Sequence, residues 1–444
     1  MSRPQPDTHA PRRSPEVSRR PVTRAVALAG SAALVAALTA CVPSAPPIPY
    51  YPPQGVTENE IYLGSHQPLS GPVAAGYSRV SVAMKAYFDY VNSKGGVHGR
   101  NIVFIAKDDA YNSTTTQTVV RELVEEDKVF AIVGGLGTPT HSAVLDYLKE
   151  AEIPDLFVAS GATTWNQPAR FPGTFGFQTD YTTEGKILGH YLKNTESLAD
   201  QKICSLVQDD DFGRQLLAGV ETSLGTTLPV RESYITSNAN VAPQVSKFDL
   251  EGCQVVVLGT IPTFTSRVIS TAAALDYSPQ WIVSTAGGDY GTVAEHLGVY
   301  KNLLEGVIST GYLPLAPSAD DPWIALFKEI NDEFGDKGPV DNNVVVGMSI
   351  AYLTVQALQR AGREITVDNL LAAIEQGGFR GPGLVPFAYS ATSHAGYSGV
   401  RMSKVTNGVQ AYFGPAYVSD AGSATVTEYT EGPLAPPEGG VPSS

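Results

Sequence analysis

Two glycine-rich turns carry the residue types best suited to hold a small anion: Gly134-Gly135-Leu136-Gly137-Thr138 and Ser160-Gly161-Ala162-Thr163. Glycine lets a ligand reach the backbone, and the hydroxyls of Thr138 and Thr163 can donate to a carboxylate. Each turn leads from an apolar run into a helical pattern, so free amides and the helix dipole add attraction without Arg or Lys. The same two threonines also have a plain structural use, as caps of the helices that follow. Catalytic chemistry finds no comparable support. Gly135-Leu136-Gly137 lacks the third glycine of a dinucleotide fingerprint, no lysine follows a glycine turn in P-loop fashion, and there is no G-x-S-x-G elbow. Seven His scattered from position 9 to 394, and three Cys without a CxxC pair, predict no metal centre and no cofactor. Asp209-Asp210-Asp211 ends a strand as in a phosphoreceiver, but the further acid such a site needs is replaced by Gly259-Thr260. The triplet therefore reads as a solvated, helix-capping loop, and the chain is not read as an enzyme.

The elements that must position these turns are legible from Glu60 onward. Short β-branched runs at 61–64, 102–106, 129–133 and 154–159 alternate with amphipathic helices, among them 115–126 and 140–151. The pattern restarts with a helix at 183–193 and strands at 202–207, 231–235, 254–258 and 280–284. Strand–helix–strand units with near-continuous apolar strands make parallel sheets covered on both faces. The fold class predicted is α/β, with two doubly wound parallel-sheet lobes. In such sheets ligands bind beyond the carboxyl ends of the strands, where both glycine turns lie. Past Tyr290 come a strand at 306–312 and three helices. The middle helix repeats Val344, Met348, Ala351, Val355 and Leu358 as a buried stripe. Turn-rich strands then run to Val418. The expected division is 59–179 plus 310–382 for lobe one, 180–309 plus 383–420 for lobe two, and a loose tail at 421–444. Three crossings, near Thr179, near Ser309-Thr310-Gly311 and between Gly381 and Pro386, would form a hinge.

The first 40 residues hold six Arg against Asp7 and Glu16, so the rest is more acidic than the −14 of the whole chain. An acidic body repels polyphosphate, which argues against nucleic acid as a partner. The apolar run 25–40 is short for a bilayer span and reads as a signal-peptide core. It ends in Leu38-Thr39-Ala40-Cys41, which resembles the bacterial lipobox. Signal peptide 1–40, lipidation at Cys41 and a Pro-rich tether at 41–58 are therefore expected, with an ordinary secretory signal as the alternative. The implied place is outside the cytoplasm, anchored to the cell membrane by lipid.

Asn92-Ser93-Lys94-Gly95-Gly96-Val97-His98-Gly99-Arg100, followed by Lys107-Asp108-Asp109, resembles the first helix–turn–strand of type I periplasmic solute-binding proteins. The nearest group is the branched-chain amino acid binding proteins of ABC importers. Gly64 to Gly71 (which includes Ser70), Ile132 to Gly135, Ser160 to Thr164, Asp209 to Gly213 and Gln244 to Lys247 match in order and spacing. The resemblance implies that Thr138, Gly161 and Thr163 hold the carboxylate of a small, partly apolar ligand. It places Phe212 where relatives often carry a tyrosine, and Ala286 where amino acid binders carry an acid for the ligand's ammonium. Asp180 or Asp289 would have to compensate, or the ligand lacks an α-ammonium. Tyr77 and Trp165 would line the rim of lobe one, and Pro262-Thr263-Phe264 the closing wall of lobe two. Cys204 and Cys253 fall on strands that neighbour in 2-1-3 order, so a disulfide is expected there, with buried free thiols as the other outcome. The implied partners are a small-molecule ligand and an ABC permease–ATPase complex, with the protein itself a monomer. A ligand-sensing receptor subunit working with a separate membrane partner is the alternative.

Overall fold

The computed structural model describes residues 50–443, so the expected signal peptide, Cys41 and most of the expected tether lie outside the described residues. The first sheet contains β1 (Glu60–Gln67), β2 (Asn101–Asp108), β3 (Ala131–Val133), β4 (Asp155–Val158) and β5 (Thr174–Gly176). They run parallel in the order β2-β1-β3-β4-β5. The second sheet begins with β6 (Ile203–Gln208), β7 (Val230–Tyr234), β8 (Val255–Gly259), β9 (Gln280–Val283) and β10 (Ile308–Gly311), parallel in the order β7-β6-β8-β9-β10. Both lobes therefore have the same 2-1-3-4-5 winding. A hairpin of β11 (Phe387–Ser390) and β12 (Ser393–Tyr397) stands apart. β13 (Gly399–Thr406), β14 (Val409–Val418) and β15 (Thr427–Tyr429) then extend the second sheet antiparallel beside β10.

Helix pairs built on small residues fix each lobe's inner edge. In lobe one the helix Asn342–Arg360 packs on Ser78–Ser93 so closely that a Cβ at Gly347 would stand 2.2 Å from the Val80 carbonyl oxygen. In lobe two the helices Tyr181–Asn194 and Asp211–Leu224 meet the same way. A Cβ at Gly219 would lie 2.2 Å from Thr182 O, and one at Gly185 2.1 Å from Leu216 O. That approach sets Tyr181 beside Phe212, ring centroids 4.5 Å apart. Cys204 on β6 is bonded to Cys253 at the turn before β8, with Cα atoms 5.9 Å apart. Closing a loop of that length restricts the unfolded chain by about 4 kcal/mol in the chain-entropy account.

Several boundaries differ from expectation. The helix expected at 140–151 is two, Thr138–Ser142 and Leu145–Glu150, and β5 is an additional strand. β10 lies wholly in the second sheet, so the second crossing follows Gly311 instead of passing through it. The hairpin β11–β12 belongs with lobe one. Tyr389 Oη donates to Gly176 O at 2.6 Å and Tyr397 N to Phe177 O at 3.0 Å. The third crossing is therefore at Ser398-Gly399, where Thr179 Oγ1 donates to Gly399 O at 2.6 Å and ties two crossings together. Nor is 421–444 a loose tail over its described length. β15 pairs with β14, Lys186 Nζ gathers the carbonyls of Asp420, Gly422 and Ala424, and Tyr87 Oη donates to Gly440 O at 2.6 Å.

Candidate functional site

The carboxyl ends of both parallel sheets face each other across a cleft with a cavity of about 120 Å³. A single buried water needs roughly 10–15 Å³ by the same measure, so the space suits a small organic molecule. Side chains of both lobes already touch across it. Tyr77 Oη donates to Ala286 O at 2.7 Å, Thr263 Oγ1 to Pro72 O at 2.9 Å, and Asn343 Nδ2 to Thr292 Oγ1 at 3.1 Å. The two lobes are closed on each other.

Of the residues expected at the site, Tyr77, Thr138, Phe212, Pro262, Ala286 and Asp289 line the cavity. The others do not, each for a local reason. Ser70 is exposed and its amide donates to Asp108 Oδ1. Gly161 is covered by Tyr181 and Thr179: a Cβ there would lie 2.7 Å from Thr179 O and 3.0 Å from Tyr181 Cδ1. The amide of Thr163 is taken by Gln215 Oε1 of lobe two at 2.9 Å. Trp165 is buried edge-on against His141, ring centroids 5.0 Å apart. Asp180 caps its helix by accepting from Thr183 N at 2.8 Å, and Thr263 is spent on Pro72. Thr138 itself shares a 2.7 Å hydrogen bond with Ser160.

Sequence reasoning passed over Tyr111, Tyr181, Thr285 and Thr310, all of which line the cavity. Tyr111 and Tyr181 each follow a strand-end or capping acid by one or two residues, which is the signal that places a side chain at the sheet's carboxyl edge. Burial pushes the phenols of Tyr77, Tyr111 and Tyr181 upward, so they stay neutral hydrogen-bonding groups. For Tyr181 the Gly161 amide and the hydroxyls of Ser160 and Thr138 act in the opposite direction. The lobe-two phenol therefore sits at the amide–hydroxyl cluster expected to hold a carboxylate. Among the lining residues no Lys, Arg or His appears, and the one carboxylate is Asp289. It caps its helix by accepting from Thr292 N at 2.8 Å.

Two groups of buried acids lie behind the walls. Under lobe one's half runs a chain of four fully buried side chains. His66 Nδ1 meets Asp109 Oδ2 at 2.8 Å, His66 Nε2 meets His141 Nδ1 at 2.9 Å, and His141 Nε2 meets Asp155 Oδ2 at 2.8 Å. Three hydrogen bonds need three protons, one more than two neutral imidazoles carry; without it two ring lone pairs would face each other at 2.9 Å. Burial depresses His66 while Asp109 opposes it, and the bond count favours retention of the third proton. His141 lies one turn beyond Thr138 on the same short helix, so this chain anchors the helix that carries Thr138. Behind lobe two's wall is Glu184, 2% exposed. Its Oε1 accepts from Thr285 N at 2.6 Å and from Thr310 Oγ1, and the two threonine hydroxyls are 2.9 Å apart.

Two similarly wound lobes close over a small cavity. A family model described as periplasmic binding protein matches residues 60–410, and the chain belongs to that family. Its relatives are binding proteins, not enzymes. It is 22% identical over 240 residues to the Leu/Ile/Val-binding protein homolog 7 of Brucella melitensis, covering 52% of this chain and 59% of that one. The chain thus spans less than two thirds of that relative's length. Two solved structures share the type I fold. The fatty acid ABC transporter substrate-binding protein from Thermomonospora curvata has TM-score 0.73 and 21% identity, covering 84% of this chain and 96% of that one. The branched chain amino acid ABC transporter from Thermus thermophilus with bound valine has TM-score 0.72 and 20% identity, covering 82% and 98%. The family works outside the cytoplasm, and among the described residues no helix is long and apolar enough to cross a membrane.

Proposed function

We propose that this protein is a lipid-anchored, extracytoplasmic solute receptor. It captures a small, partly apolar amino acid or related organic acid between its lobes and delivers it to an ABC permease and ATPase. The observation that carries this reading is the closed cleft, walled by aromatic side chains from both lobes and bridged by hydrogen bonds across it. A ligand touching both walls favours the closed state by its differential affinity, and the closed shape is what a membrane partner can recognise. The resemblance to branched-chain amino acid binders, and the kinds of ligand printed for the structural neighbours, support the ligand class. Thr138 is the member of the expected carboxylate-holding trio that reaches the cavity. Anchoring rests on the lipobox-like Leu38-Thr39-Ala40-Cys41. Native mass spectrometry of the gently purified protein tests capture, and a co-purified small molecule is the expected result. Cys41→Ala is expected to release the protein from membranes, because lipid supplies nearly all its membrane affinity; undiminished retention would remove the anchor.

A further inference from the structure

The hydrogen-bond polarity of lobe two's wall can be worked out atom by atom. Thr310 has one hydroxyl proton and gives it to Glu184 Oε1. In the 2.9 Å contact between the two hydroxyls Thr310 must then accept, so Thr285 spends its own proton there. The Thr285 amide proton also goes to Glu184. Thr285 and Thr310 line the cavity, yet both have turned their hydrogens away from it. The next residues continue the pattern. Ala286 presents a carbonyl, which Tyr77 takes, and Asp289 presents a carboxylate. This stretch of the wall, from Thr285 to Asp289 with Thr310, offers lone pairs.

Charge sharpens the point. Glu184 is buried with no cationic side chain hydrogen-bonded to it, and the titratable groups facing it are Asp180 on its own helix and Tyr312 just after β10. Lys186, two residues along, is committed to the 420–424 carbonyls on another face. A buried carboxyl without a counter-charge costs several kcal/mol in its ionised form. With no basic side chain on the cavity wall, an ionised Glu184 can be balanced only from the space in front of Thr285 and Thr310; without a cation there, burial favours its protonated form.

We infer that the ligand carries a protonated amine, and that Glu184 is the specificity-determining counter-charge which reads it through Thr285 and Thr310. This rests on the solute-capture reading and decides, within it, between amino acids and amine-free organic acids. A neutral polyol would meet the lone pairs but leave Glu184 and Asp289 uncompensated. Burial raises the Glu184 pKa, so a cation seated nearby shifts it back and drives a proton off.

The test uses the full mature chain, thermal-shift screening and calorimetry, with three probe sets: L-amino acids, primary alkylamines and amine-free carboxylates including 4-methylpentanoate. Hits confined to amine-bearing probes are expected. For those hits Glu184→Gln should weaken binding about tenfold or more. Calorimetry in buffers of different ionisation enthalpy should show proton release that is absent from the variant. Thr310→Val, which leaves the acid in place but breaks the relay, should weaken the same probes. Hits confined to amine-free carboxylates, or equal affinity in wild type and a folded E184Q, would overturn the inference while leaving solute capture intact. No hit in any set removes both.

Discussion

Each lobe buries acid beneath its half of the cleft, but the two settle that charge in opposite ways. Lobe one interleaves Asp109 and Asp155 with His66 and His141, so each acid faces an imidazole and the shared third proton offsets one of the two carboxylate charges. Lobe two leaves Glu184 surrounded by hydroxyl and amide donors with no cation. The first arrangement is a rigid seat for Thr138, finished before any ligand arrives. The second is unfinished, and completion belongs to whatever enters. A closing binding protein needs this asymmetry, because the half-site that holds should not change while the half-site that reports should.

The largest expected effect would come from breaking the finished side. Asp155→Asn leaves the buried imidazole chain without its terminal charge and should cost about 3–5 kcal/mol of stability by chemical denaturation. Glu184→Gln should instead change stability by less than about 1 kcal/mol, or raise it, since it removes an uncompensated buried acid. Equal losses in the two variants would erase the contrast between the lobes.

The pH dependence of ligand-free stability should show the same difference more gently. Because burial raises the folded-state pKa of Glu184, its protonated form is favoured on folding. Its contribution is complete below the unfolded carboxyl's ordinary value and is lost as pH rises through the raised one. The stability of wild type relative to E184Q should therefore fall across that window. A flat difference would mean that Glu184 is not shifted.

Tyr77→Phe should have the smallest effect on ligand binding. It removes one hydrogen bond between the lobes, to Ala286 O, and should weaken ligand affinity by about 1 kcal/mol without changing the fold. Calorimetry on an identified ligand measures it; an unchanged affinity would show that this bridge forms equally well in the open state.

The contrast between lobes also marks where the sequence stopped being readable. The β-branched runs and the restart after residue 180 follow from local pattern, and so do the two windings. β5 is three residues long, too short for any period, and the hairpin β11–β12 was assigned to the wrong lobe because hydrogen bonds from Tyr389 and Tyr397 decide its place. Thr138, Phe212 and Ala286 can be placed beside the cavity from sequence because turns after strands can be located. Thr163 was misplaced because the group that takes its amide, Gln215, lies 52 residues away on the other lobe. Glu184 looks like any acid in the first turn of a helix, and nothing local tells that its carboxyl is buried. His66 and His141 are 75 residues apart and look scattered until β1 and β3 pair.

The C-terminal segment adds a leash to the hinge. β15 is held on the second sheet through β14, while Trp323 and Tyr90 of lobe one fasten the carbonyls of Leu434 and Gly439. Five residue steps separate Tyr429 from Leu434, and fully extended they reach roughly 17 Å. The gape of the ligand-free protein is bounded by that length for as long as both ends stay fastened, whatever freedom the three crossings allow.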